Sequence, residues 1–123
     1  MPLIDQSRIY RTDLQANPQV LYIFGDNEAR VGSGGQAGEM RGEPNAIGVA
    51  TLKAPGTFWN ANETARQCRI IDEDLRPAIA ALHDGKIVVF PLDGIGTGIA
   101  ELERRAPETF DHLQRKLAAM RKL

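Results

Sequence analysis

Residues 20–24 read Val-Leu-Tyr-Ile-Phe, followed by a turn, Gly25-Asp26-Asn27, and a glycine loop, Gly32-Ser33-Gly34-Gly35. A short apolar run that ends in turn residues is typical of a strand buried on both faces. Glycines let backbone N–H groups approach a phosphate closely, and a helix that begins after the loop adds partial positive charge. The stretch therefore predicts a strand, an anion-binding loop and a short helix at residues 34–42.

A second glycine loop follows another apolar run. Residues 87–91 read Ile-Val-Val-Phe-Pro, and the loop is Gly94-Ile95-Gly96-Thr97-Gly98. Ligands of open α/β sheets bind beyond the carboxyl ends of the strands, so the two loops predict contacts to a phosphate-bearing ligand from two sides. The alternative for the first loop is a tight turn that lets a helix pack on the sheet. It is not a Walker loop, because no Gly-Lys-Ser/Thr follows it.

The order of the remaining patterns predicts an α/β fold in which helices cover a mostly parallel sheet. Strands are expected at residues 8–14, 19–24, 46–52 and 86–92. Further helices are expected from an N-cap at Asp74 to Gly85, and from near Pro107 onward. Their apolar faces would consist of Leu75, Ala78, Ile79 and Leu82, and of Phe110, Leu113, Leu117 and Met120. Residues 56–71 give no clear pattern, and Phe58-Trp59 could form a lid or a pocket wall.

Composition excludes several classes of function. With 123 residues the chain suffices for one domain, and a net charge of −1 gives no broad attraction to nucleic acid or anionic membranes. No apolar run approaches 20 residues and no signal sequence is visible, so neither a membrane span nor export is expected. Cys68 is the only cysteine, so no disulfide within the chain is expected. The two histidines are not spaced like metal ligands, so no metal site is expected either. A reducing cytoplasm is the simplest location.

Four blocks of the sequence resemble macrodomains, the ADP-ribose-binding family. The first block, Thr12-Asp13-Leu14, is similar to the family's Gly-Asp-Ile element. The second, Asn27 to Ala37, is similar to the family's Asn-x-x-x-x-Gly-Gly-Gly-Gly-Val-Ala segment. The third is Gly48 to Lys53, and the fourth is Val89-Phe90-Pro91 with Gly94 to Ile99. The third block is similar to the Pro-Thr-Lys segment of the branch that contains DNA-targeting ADP-ribosyl hydrolases. The blocks keep the family order and cover roughly residues 12–105. The resemblance implies one compact macrodomain-like domain over residues 1–123, like those of phages and bacteria, with a three-layer α/β/α fold and a mostly parallel, mixed sheet.

The resemblance also implies a ligand, ADP-ribose or a related NAD-derived nucleotide, and no cofactor. Asp13 would accept a hydrogen bond from adenine, Phe90 could wall the adenine, and Asn27 would face the distal ribose. The implied binding residues are Asp13, Gly32, Ser33, Gly34, Gly35, Gln36, Thr51, Phe90, Asp93, Gly94, Ile95, Gly96, Thr97, Gly98 and Ile99. Asp13 and Asn27 are also common turn residues, and a strand phenylalanine is often plain core, so structural roles stay open.

The candidate catalytic residues are Asn27, Lys53 and Glu101. In the hydrolase branch a lysine directly after the threonine attacks the anomeric carbon, and an acid in the second glycine loop assists it. Here Leu52 follows Thr51, and Lys53 comes one place late, which on an extended chain directs its side chain to the other face. Lys53 could act only if a bulge or turn redirects it. Glu101 lies near the acid position as a candidate base, or is simply an exposed charge.

Three functions are therefore open at this stage. The first is an enzyme that removes ADP-ribose from nucleic acid or protein, with Asn27 positioning water if Lys53 cannot act. The second, which Leu52 favours, is a non-catalytic reader of ADP-ribosylation or a nucleotide sponge. The third is a phage-type interaction protein that inhibits a host partner, with Phe58-Trp59 as an exposed aromatic anchor.

Overall fold

A computed structural model describes residues 3–92, 94–95 and 100–123, which contain five strands and five helices. In chain order they are β1 (Leu3–Gln6), α1 (Arg11–Ala16), β2 (Leu21–Asn27), α2 (Gly35–Met40), β3 (Ala46–Ala54), β4 (Thr57–Phe58), α3 (Thr64–His83), β5 (Val88–Pro91), α4 (Leu102–Arg105) and α5 (Pro107–Arg121). The predicted α/β class is confirmed. No helix within the described residues is long and apolar enough to cross a membrane.

The strands form one mixed sheet in the order β1-β5-β2-β3-β4. The pairs β1–β5, β5–β2 and β2–β3 are parallel, and only the two-residue β4 runs antiparallel to its neighbour β3. The expectation of a mostly parallel, mixed sheet is thus confirmed. Because β5 lies between β1 and β2, the segments that follow these three strands begin side by side at one edge.

Helices cover both faces of the sheet. Ile23 packs with residues of α3 and α5, whereas its neighbours Tyr22 and Phe24 pack with residues of α1 and α2. This alternation follows from the two-residue period of a strand. We call the side covered by α3 and α5 the long-helix face and the side covered by α1 and α2 the short-helix face.

The expected strand at residues 8–14 is wrong. The first strand is β1, which was not expected, and residues 11–16 form helix α1. Asp13 lies in the first turn of α1, where its carboxylate accepts a hydrogen bond of 2.9 Å from the backbone N–H of Tyr10. Such a contact satisfies an N–H group that a helix leaves without a partner at its start. A local side-chain contact thus outweighs the strand-like composition of the segment.

The expected start of a helix at Asp74 is also wrong, because α3 begins ten residues earlier, at Thr64, and includes Pro77. Asp74 is no N-cap: its carboxylate accepts hydrogen bonds from Arg30 and from the backbone N–H of Ala50. The predicted apolar stripe is confirmed at the buried Leu75, Ala78 and Leu82. The predicted start of α5 at Pro107 is confirmed as well.

Trp59 is neither a lid nor an exposed anchor. Only 1% of its surface is exposed, and its indole N–H donates a hydrogen bond of 2.6 Å to Glu28 Oε2. Phe58 is half-buried, and the Arg105 guanidinium lies 3.6 Å from the centre of its ring. Both aromatic residues therefore serve the packing of the fold.

Candidate ligand-binding site

A pocket of about 540 Å³ lies where segments that follow β1, β2 and β5 meet. Its described lining residues are Ser7, Arg8, Ile9, Tyr10, Gly35, Gln36, Glu39, Pro91 and Gly94. The helices that follow β1 and β2 cover the short-helix face, whereas those that follow β5 pack on the long-helix face. Such a change of direction between neighbouring strands opens a crevice at the carboxyl ends, where ligands of open α/β sheets bind. The volume also falls in the range of small-molecule pockets.

One wall of the pocket, residues 7–10, is tied to α2 by side-chain hydrogen bonds. Gln36 accepts a bond of 3.2 Å from the backbone N–H of Ile9 and donates one of 3.0 Å to its carbonyl oxygen. Glu39 accepts the backbone N–H of Arg11 at 3.0 Å. The exposed Arg8 guanidinium has no hydrogen-bond or ion-pair partner among the residues that the structure describes. The pocket therefore combines a fixed wall with a cation that can meet an anionic ligand.

The start of the glycine loop is held by Arg41. Its guanidinium donates to both carboxylate oxygens of Asp26, at 2.6 and 3.2 Å, and to the carbonyl oxygens of Val31 and Gly32, at 3.1 and 2.9 Å. Asp26 is the penultimate residue of β2, and its side chain is almost fully buried. Gly48 makes room for it, since a methyl group there would lie 2.4 Å from Asp26 Oδ2. The ion pair thus links the end of the strand to the start of the loop.

Asn27 closes the turn before the glycine loop. Its amide donates a hydrogen bond of 2.8 Å to the carbonyl oxygen of Val31, and its Oδ1 accepts the N–H of Val31 at 3.4 Å. Arg30, within this turn, has a φ of +57°. The Asn27 side chain is buried and makes the structural contacts of a turn residue. Its role at a ribose stays a prediction.

The segment around Thr51 and Lys53 contains a β-bulge. Asp26 pairs with Ala50 but Asn27 pairs with Leu52, so β3 carries one extra residue, Thr51. Bulges of this kind redirect the side chains that follow them. The Lys53 ammonium lies 3.6 Å from Glu63 Oε2, and neither Thr51 nor Lys53 is among the described lining residues of the pocket.

Glu101 precedes α4 in a left-handed conformation, with a φ of +48°. Its carboxylate accepts hydrogen bonds from Arg104 at 2.7 Å and from Arg105 at 3.2 Å. The hydrogen bond from Arg104, and then that from Arg105, lower the pKa of the Glu101 carboxyl. A carboxylate with a lowered pKa is a weaker base, which disfavours a role in abstracting a proton from water.

The two residues expected at the adenine lie apart from each other. Asp13 Oδ2 accepts the Tyr10 N–H and the Gln6 amide, at 2.9 and 3.0 Å, and so supports the pocket wall from behind. Phe90 is buried on the long-helix face and lines a second pocket, of about 390 Å³, together with residues of α5. Gly94 lines both pockets.

The structure brings together three of the expected ligand residues, Gly35, Gln36 and Gly94, and places Gly32, Ser33 and Gly34 directly before Gly35 on the same loop. Ile95 is buried, and its side chain packs against Gly25 of β2. The expected residues Asp93, Gly96, Thr97, Gly98 and Ile99 lie outside the described residues. Sequence reasoning missed the pocket residues Ser7, Arg8, Ile9, Tyr10, Glu39 and Pro91, and the pair Asp26–Arg41. Recognising β1 would have revealed the first four, because they follow its carboxyl end.

Comparison with known proteins assigns the chain to one family. The model of a family of unknown function, DUF7831, matches residues 4–116, so the chain belongs to that family. Neither a curated protein nor a solved structure matches it.

Proposed function

We propose that this member of the DUF7831 family binds ADP-ribose or a related NAD-derived nucleotide at the carboxyl edge of its sheet. The observation that carries the proposal is the pocket of about 540 Å³, which is formed by segments that follow three parallel strands. It has a glycine backbone at Gly35 and Gly94 and a cation at Arg8. This combination suits a ligand that has both a diphosphate and sugar or base groups to bury.

The chemistry of the lining residues agrees with a nucleotide. A guanidinium forms strong, often bidentate hydrogen bonds with phosphate oxygens, and Arg8 is available for them. The Tyr10 side chain, 46% exposed at the pocket, offers a ring face on which a base can stack. The Ser7 hydroxyl could pair with a ribose hydroxyl. Tyr10 thus takes the place that the resemblance gives to Phe90, while adenine recognition by Asp13 stays a prediction.

The macrodomain-like assignment is part of the proposal. It is supported by the four sequence blocks and is compatible with the observed α/β fold and its mostly parallel, mixed sheet. Within this assignment the glycine loop at residues 32–35 and Gly94 contact the diphosphate.

We propose binding rather than hydrolysis, because the candidate catalytic side chains already have partners. Lys53 faces Glu63, Glu101 faces two arginines, and Asn27 closes a turn. A reader of ADP-ribosylation, or a protein that sequesters the nucleotide, fits these contacts better than an ADP-ribosyl hydrolase. The carrier of the ADP-ribose would then be a nucleic acid or a protein. An interaction protein anchored by Trp59 is disfavoured, because Trp59 is buried.

Isothermal titration calorimetry tests the proposal. The intact protein should bind ADP-ribose, and Arg8→Ala should weaken that affinity by about tenfold or more, since a charge-assisted hydrogen bond to phosphate is lost. Adenosine, which has no phosphate, should bind both proteins equally. Arg69→Ala, which removes an exposed arginine of α3, is the matched control and should behave like the wild type.

Two outcomes would contradict the proposal. Absence of binding heat with ADP-ribose at millimolar concentration would exclude the ligand class. Release of free ADP-ribose from modified DNA or protein, followed by chromatography, would show that the protein is a hydrolase and not only a binder.

A further inference from the structure

Three successive carbonyl groups, those of Val31, Gly32 and Ser33, face Arg41 or α2. Arg41 donates hydrogen bonds to two of them, the carbonyl oxygens of Val31 and Gly32. The third, at Ser33, packs against Gly38 of α2 so closely that a methyl group on Gly38 would lie 2.2 Å from the Ser33 oxygen. The side chain of Arg41 and the bare backbone of Gly38 therefore fix the orientation of three neighbouring peptide groups.

The orientation of a carbonyl decides where the next N–H group points. In a trans peptide the C=O bond and the following N–H bond point in opposite directions, and no described peptide bond is cis. The N–H groups of Gly32, Ser33 and Gly34 consequently point away from Arg41 and α2. A residue with positive φ within such a run curves the backbone so that successive N–H groups can surround an anion, and Gly32 has a φ of +104°.

Within residues 3–92, 94–95 and 100–123, the N–H groups of Gly32, Ser33 and Gly34 donate no hydrogen bond. Apart from the adjoining residues, no atom of the described chain lies within 4 Å of the Cβ position at Gly34 or Gly35. Convergent, unpaired N–H groups on a concave backbone are the arrangement that binds phosphate oxygens.

We infer that Arg41 is the positioning residue of the site: held by Asp26, it orients the N–H groups of residues 32–34 toward a phosphate. The inference rests on the proposed function and assigns different roles in it to Arg8 and Arg41. The inference assigns Arg41 no contact with the ligand, since four of its five N–H groups bond Asp26 and the carbonyl oxygens of Val31 and Gly32. Arg8 supplies the charge, whereas Arg41 supplies the direction of the backbone donors.

Lysine cannot replace Arg41 in this role. A guanidinium is planar and carries five N–H groups, so it can bond a carboxylate and two carbonyls at fixed angles, whereas an ammonium is a compact point charge. Arg41→Lys keeps the charge beside Asp26 but should lose the loop carbonyls. Arg30→Lys is the matched control, because Arg30 also lies near Asp26, at 3.6 Å, but donates to no carbonyl of the glycine loop.

The experiment is an NMR titration of the ¹⁵N-labelled full chain with ADP-ribose and with inorganic pyrophosphate. In the wild type, both ligands should shift the amide protons of Gly32, Ser33 and Gly34 downfield, because each forms a hydrogen bond to a phosphate oxygen. In Arg41→Lys the shifts should shrink and the affinity for both ligands should fall by about tenfold, with the affinity for adenosine unchanged. Arg30→Lys should resemble the wild type.

The wild-type spectra keep the inference falsifiable even if Arg41→Lys does not fold. Tight binding of ADP-ribose without a shift at residues 32–34 would overturn the inference and leave the proposed function standing. Failure of the wild type to bind either ligand would overturn both. Gly38→Ala provides a second test, since displacing the Ser33 carbonyl should weaken pyrophosphate binding while the Arg41 contacts remain.

Discussion

The two faces of the sheet are held by different kinds of interaction. On the long-helix face, 18 buried residues of the described chain form one apolar cluster beneath helices of 20 and 15 residues. On the short-helix face only six buried residues cluster, beneath two helices of six residues each. Since hydrophobic stabilisation scales with the apolar area buried, the second face needs another source of stability.

Polar side chains supply it. Arg11 donates hydrogen bonds to the carbonyl oxygens of Gly38 and Arg41 and pairs with Glu43 at 2.5 Å. The buried amide of Asn45 donates to three carbonyl oxygens, of Leu14, Asn17 and Val20, at 2.9 to 3.0 Å. With Gln36 and Arg41, these bonds tie the two short helices to the loops around them.

The comparison explains why most of the lining of the candidate site comes from segments that cover the short-helix face. Apolar contacts are non-directional, whereas hydrogen bonds fix the angle between groups. A binding loop must present its N–H groups at set angles, so a face built from directional bonds suits it. Substitutions in the two faces test this division.

Trp59→Ala should cause the largest loss of stability, about 3–5 kcal/mol, because it leaves a large cavity in the long-helix core. Urea unfolding followed by circular dichroism measures it. Phe58→Ala, at a half-buried neighbour, should cost clearly less. A cost for Trp59→Ala below about 1 kcal/mol would mean that the indole lies at the surface after all.

Asn45→Ala should cost about 1–3 kcal/mol, because three carbonyl oxygens on the short-helix face lose their donor. Asn45→Leu should be about as harmful, although it adds apolar volume, and Asn62→Ala at an exposed position should be neutral. The same urea titration measures all three. Full stability of Asn45→Leu would show that this face depends on apolar packing, like the other.

The smallest effect concerns Asp5 and Arg121, a pair at the rim of the long-helix face with two contacts of 2.9 Å. The hydrogen bond from Arg121 lowers the pKa of the Asp5 carboxyl. A pKa that is lower in the folded state stabilises the fold above the pKa of the unfolded chain, about 3.9, and this contribution is lost as the pH falls through the folded value.

The wild type should therefore exceed Arg121→Gln slightly in free energy of unfolding at neutral pH. The difference should begin to shrink near pH 4 and vanish once the pH lies below the folded-state pKa of Asp5. Urea titrations at several pH values measure it. Arg115→Gln, which breaks a more exposed pair with Asp111, is the control. A difference that grows on acidification would refute the sign of the linkage.

The fold could be predicted from the sequence where local signals decide. The apolar run at residues 20–24 became β2, and Pro107 begins α5. The wrong predictions for Asp74 and Trp59 have a common cause. The hydrogen-bond partners of these side chains, Arg30 and Glu28, lie 44 and 31 residues away in the chain. No local pattern records such a contact.

The same distinction applies to the candidate site. The glycine loop and its place after a buried strand could be predicted, because glycine and apolar periodicity act over a few residues. The pocket wall at residues 7–10 could not be predicted, because it follows the four-residue edge strand β1. In this strand the apolar pattern is weak, since both Ile4 and Asp5 are exposed.

Local sequence patterns predict the α/β class and an open glycine loop at a strand end, since both follow from the conformational preferences of neighbouring residues. No such preference sets the direction in which that loop points its N–H groups. That direction depends on Arg41, which reaches from the end of α2 to Asp26 and to the loop carbonyls. A backbone direction is set by contacts across space, because a glycine has no side chain of its own to fix it.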